Sequence, residues 1–70
     1  MLRQSVQSSD LRSVGYDPVN SVLEIEFNSG GVYQYFNVPA SVYRALMSAS
    51  SHGKYFHANI NNRYRYSRIG

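Results

Sequence analysis

The chain has no cysteine and no tryptophan. Without thiols it can build neither a disulfide framework nor a thiolate metal site, so packing alone must hold the fold. Acids are scarce: four in seventy residues, all before position 28. His52 and His57 stand five apart, a poor spacing for two ligands on one helix face, and no acid follows to complete a metal site. There is no glycine-rich phosphate loop and no nucleophile elbow around any serine. Glu24 and Glu26 share a strand face as paired carboxylates do, but exposed strand glutamates read as solvated surface. A catalytic role is therefore not expected, nor a cofactor or a metal. No apolar run approaches the roughly 20 residues that span a bilayer, and the first residues lack a signal peptide's apolar core. These absences lead to the expectation of a cytoplasmic protein with no membrane partner.

What is present is aromatic and basic. Ten rings, seven of them tyrosine, occur in seventy residues, and each can bury about 150–250 Å². That matters in a chain short enough to bury only about 60% of its unfolded surface. The charge is unevenly placed. Residues 1–27 hold Arg3 and Arg12 against Asp10, Asp17, Glu24 and Glu26, a net −2. Residues 28–70 hold Arg44, Lys54, Arg63, Arg65 and Arg68 with no acid, a net +5, and the two parts sum to the chain's +3. A wholly cationic second part points to an anionic partner such as a phosphate backbone; keeping a ring-rich domain in solution is the plainer explanation.

The pattern predicts an α+β domain: an antiparallel sheet of three or four strands, packed on its apolar face by one main helix and a short second helix. Residues 1–9 are polar and serine-rich, a flexible or edge segment, and residues 10–70 form the single domain. Leu11 to Tyr16 reads as a first strand and Asp17-Pro18-Val19-Asn20 as a turn. From Val22 to Phe27 the chain alternates, with Leu23, Ile25 and Phe27 on one side. Asn28-Ser29-Gly30-Gly31 is hairpin chemistry. A three-residue loop with Gly30 left-handed sets Ile25 opposite Tyr33 and Leu23 opposite Tyr35, placing both tyrosines on the apolar face. A two-residue loop would turn them to the wet face. The first register is favoured because it keeps the apolar residues together.

Pro39 suits a first helical turn, and Val42, Tyr43, Leu46 and Met47 follow at helical spacing. Ser51 can cap a second helix in which Phe56 and Ile60 share one side. Tyr64 to Ile69 alternates again, as a last strand or an extended tail.

Candidate ligand-binding residues follow from the interleaving of cations and rings. Lys54, Arg63, Arg65 and Arg68 would meet phosphate, while Tyr55, Tyr64 and Tyr66 would stack on bases or hydrogen-bond. Asn59, Asn61 and Asn62 can address a base edge or a nucleotide, although asparagine clusters more often end a helix. Tyr33 and Tyr35 are chiefly structural, with hydroxyls able to reach a ligand. Two other roles fit: an oligomeric sponge of phage type that traps a nucleotide signal at a subunit interface, or a module whose tyrosines dock a protein.

One resemblance adds to this reading. Val14-Gly15-Tyr16-Asp17, Leu23-Glu24-Ile25-Glu26-Phe27, Gly31-Val32-Tyr33-Gln34-Tyr35, Val38-Pro39, Val42-Tyr43 and Ser51-His52-Gly53-Lys54-Tyr55-Phe56 occur in an order that resembles the KTSC domain. That domain is named for the C-terminal extension of some lysyl-tRNA synthetases and also occurs as a free-standing small bacterial or phage protein. The likeness runs from Ser8 to about Tyr66. It implies a domain whose function is not fixed by the family and for which the fusion to a synthetase suggests RNA binding.

Overall fold

The computed structural model describes residues 1–70. Seven elements follow in order: β1 (Gln4–Ser5), β2 (Leu11–Asp17), β3 (Val22–Phe27), β4 (Val32–Tyr35), α1 (Ala40–Ser48), α2 (His52–Asn59) and β5 (Tyr66–Arg68). The strands make one antiparallel sheet in the order β1-β2-β3-β4-β5. The α+β class is as expected, with five strands where three or four were anticipated. The difference is chiefly the two-residue β1, too short to leave an alternation in a polar segment.

The β3–β4 hairpin takes the three-residue loop. Gly30 has φ +115°, Phe27 N–H donates to the Gly31 carbonyl at 2.9 Å, and Ile25 pairs with Tyr33 and Leu23 with Tyr35. Both tyrosines thereby join Val14, Leu23 and Ile25 on the apolar face, onto which Leu46 of α1, Phe56 of α2 and the following Ile60 pack. A fully buried aliphatic side chain contributes about 1.5–3 kcal/mol, and these make the core.

Pro39 is the N-cap of α1, one residue before the expected first turn. α2 begins as anticipated: Ser51 Oγ accepts from the Lys54 N–H at 3.2 Å. His52 Nδ1 donates to the Leu46 carbonyl at 2.8 Å, which also accepts the longer 3.4 Å bond from the Ala49 N–H at the end of α1. Asn62, at φ +63°, turns the chain out of α2.

The opposite face of the sheet departs from expectation. Glu24 is 5% exposed and not a solvated surface group. Arg3 pairs with Glu24 and hydrogen-bonds Ser13 Oγ at 2.9 Å; Gln34 donates to Glu24 Oε1 at 2.9 Å. Burial pushes the Glu24 carboxyl up, but hydrogen bonds from Gln34 and Arg3, with the Arg3 charge, more than reverse this, leaving it below its ordinary value. The amino-terminal segment thus covers this face, a result of a cation 21 residues away from the acid it meets.

Candidate nucleic-acid interface

Because side chains alternate along a strand, β5 adds Tyr66 and Arg68 to the same face as Tyr35 and Tyr33, its cross-strand partners. All three residues of β5 are exposed, and Tyr66 is 60% so. The sheet therefore continues, beyond its buried part, into an uncovered shelf of rings and a guanidinium.

Five rings close a loop there. Phe27 meets Phe56 at 5.3 Å between centroids, Phe56 meets Tyr35 at 5.6 Å, and Tyr35 meets Tyr66 at 5.8 Å. Tyr66 then meets Tyr33 at 5.8 Å, and Tyr33 returns to Phe27 at 5.6 Å. These rings line a groove of about 280 Å³. Its rim is polar, formed by Ser29, His57 and Asn61. Arg68 sits with its guanidinium carbon 5.9 Å from the centre of Tyr33, within cation–π reach, and its Nε donates to the Gly70 carbonyl at 2.7 Å. Burial, with the neighbouring Tyr33 and Tyr66, pushes the Tyr35 phenol up to about 12.

Adjoining this groove, Asn62, Arg63, Tyr64, Arg65 and Tyr66 line an open depression of about 470 Å³. Tyr66 belongs to both. The ion pairs of the chain engage only Arg3 and His57. Lys54, Arg63, Arg65 and Arg68 consequently meet no Asp or Glu carboxylate, and of these Arg68 is already engaged by the Gly70 oxygen.

The candidate residues divide on this geometry. Tyr33, Tyr35 and Tyr66 come together in the groove, with Arg68 beside them; Arg63, Tyr64, Arg65 and Tyr66 come together in the depression. Lys54, Tyr55 and Asn59 lie on α2 and line neither. Asn59 donates to the Tyr55 carbonyl at 3.2 Å, a helix-ending contact. Tyr35 is 5% exposed and acts as the groove's floor, and Tyr55 and Tyr64 are half-buried against the core. Asn61, one of the asparagines able to address a base edge, does reach the groove, whereas Phe27, Phe56, Ser29 and His57 were not among the candidates. Phe27 did carry a readable signal, since its neighbour across the hairpin, Gly31, has no side chain to cover its flank.

No group of His, Asp or Glu side chains is arranged to hold a metal ion, and no helix is long and apolar enough to cross a membrane. The class so defined is a small antiparallel sheet backed by two short helices, with an aromatic, acid-free margin at its last strand.

The model of the KTSC domain matches residues 7–64, and the chain belongs to that family. It is 49% identical over 70 residues to an uncharacterized protein of Stutzerimonas stutzeri (strain A1501), with 99% of each chain covered. It is also 36% identical over 63 residues to a lysine–tRNA ligase of Nostoc sp. (strain PCC 7120 / SAG 25.82 / UTEX 2576), covering 90% of this chain and 11% of the ligase. The crystal structure of a KTSC domain protein from Yersinia pestis superposes with a TM-score of 0.97 at 43% identity, over 99% of this chain and 97% of that one.

Proposed function

We propose that this chain is a non-catalytic binding module for RNA, whose phosphates dock on the basic and aromatic segment from Arg63 to Arg68. The observation that carries this is the convergence of Arg63, Tyr64, Arg65 and Tyr66 on one depression in which no arginine is neutralised by an acid. Guanidinium groups without carboxylate partners are open to phosphate oxygens, which they bind in a bidentate fork. Interleaved phenols supply faces for bases, as sheet-borne aromatics do in other single-strand RNA readers. The likeness to a segment of a lysine–tRNA ligase supports the choice of RNA among polyanions.

The test is RNA affinity measured by fluorescence anisotropy at 50 mM and 200 mM salt. Displacing condensed counterions makes affinity fall with salt, and Arg65→Ala is expected to weaken binding and lower the slope by about one charge. Lys54→Ala, outside the depression, is expected to lower it less. Equal affinity at both salt concentrations would remove the electrostatic basis of the proposal.

A further inference from the structure

We infer that the five-ring groove is a receptor for one unstacked nucleobase, held beside the phosphates that dock on the adjoining arginines; this rests on the RNA-binding reading above. The groove offers what a base needs and a peptide side chain does not. Its walls are ring faces and edges from Phe27, Tyr33, Tyr35 and Tyr66, and π-faces take any base without demanding a sequence. At about 280 Å³ it falls just below the roughly 300–1,000 Å³ of sites that enclose drug-sized ligands, which leaves room for one planar ring system with its sugar and phosphate outside. The rim then matches the edges of a base. Ser29 and Asn61 present a hydroxyl and a carboxamide, each able to donate and to accept. His57 stands there too, its Nε2 3.2 Å from Asp10 Oδ2 and its ring edge-on to Phe56.

Charge decides between a base and another flat apolar group. Arg68 lies over Tyr33 at one side of the groove, and Tyr66 is shared with the depression that holds Arg63 and Arg65. A ring system seated in the groove thus has cations next to the position of its own phosphate. A neutral aromatic peptide side chain would leave them unused. Gly31 contributes by omission: a Cβ there would stand 2.7 Å from Tyr33 Cε1, so glycine is what lets the Tyr33 ring lean across the hairpin and form its wall.

The experiment compares a short single-stranded oligoadenylate with an abasic strand of the same length and phosphate count, by anisotropy at fixed salt. A seated base is expected to favour the base-bearing strand by about tenfold or more. Tyr66→Ala, at a position 60% exposed, should remove most of that preference, and Tyr66→Phe should restore it. Amide shifts at Ser29, His57 and Asn61 on titration with adenosine monophosphate would show a free nucleotide entering the groove; shifts with the oligonucleotide alone would show that the strand must present the base. Equal affinity for base-bearing and abasic strands, with the salt dependence intact, overturns the base receptor and leaves the phosphate docking standing. Failure of both strands to bind overturns both.

Discussion

A Cβ built at Gly15 would stand 2.6 Å from the Leu2 carbonyl oxygen, closer than a side chain tolerates. Glycine at the centre of β2 is therefore what admits the amino-terminal segment to the second face of the sheet. Gly15→Ala should lift that segment, at a cost of about 1–3 kcal/mol for the steric conflict. In a domain of this size each kcal/mol lowers Tm by roughly 4–8 °C. Hydrogen exchange should show Gln4 and Ser5 losing protection while β3 and β4 keep theirs; unchanged exchange at β1 would count against the arrangement.

Glu24 answers to the same segment. Its carboxyl is held below its ordinary value, so its stabilising effect is present above the unfolded-state pKa of about 4.3 and fades as pH falls through the depressed folded value. Glu24→Gln leaves Arg3 with only the more distant Glu26 carboxylate, 3.9 Å away, and should cost about 1–3 kcal/mol at pH 7. Denaturant midpoints of the two proteins should converge as pH is lowered below about 4. A difference that persists undiminished into acid would mean that the carboxylate charge is not what stabilises this face.

A third prediction concerns the junction before α1. Tyr16 and Tyr43 stack with centroids 4.8 Å apart and planes 9° from parallel, and the Tyr16 hydroxyl donates to the buried Val38 carbonyl at 2.6 Å. The pair fastens the first turns of α1 to the sheet. Tyr43→Ala should cost about 2 kcal/mol, and Tyr43→Phe, which keeps the stacked face, well under half of that. Equal losses in the two variants, read by thermal melts, would assign the effect to the hydroxyl instead.

Much of this fold was legible because its signals are local. One glycine at the hairpin fixed the register from Leu23 to Tyr35, and the spacing of Phe56 and Ile60 behind Ser51 marked both the start and the buried side of α2. The rest depends on groups far apart in the chain. Glu24 carries the pattern of a solvated strand residue, and only the fold brings Arg3 and Gln34 to it. The groove draws its rings from β3, β4, α2 and β5, so no window of sequence contains it. Tyr66 could be nominated from the interleaving of rings and cations, Tyr33 and Tyr35 from the hairpin register, and Asn61 from the asparagines that follow α2; His57 could not, because its only relation to those tyrosines is spatial.

Tyr35 links stability to the groove. Its phenol is pushed up to about 12 by burial, with Tyr33 and Tyr66 adding to the effect, whereas an unfolded tyrosine ionises near about 10. A raised acid contributes stability that is intact below pH of about 10 and is lost as the pH climbs toward about 12, since only the unfolded chain can ionise freely across that window. The shift corresponds to roughly 2–3 kcal/mol, enough to set the alkaline limit of so small a domain. Spectrophotometric titration should resolve one late tyrosine, absent in Tyr35→Phe, and that variant should lose less stability between pH of about 10 and 12 than the parent chain. If the two chains unfold alike in alkali, the floor of the groove is wetter than its 5% exposure indicates. A base stacking above Tyr35 would then gain less from excluding water.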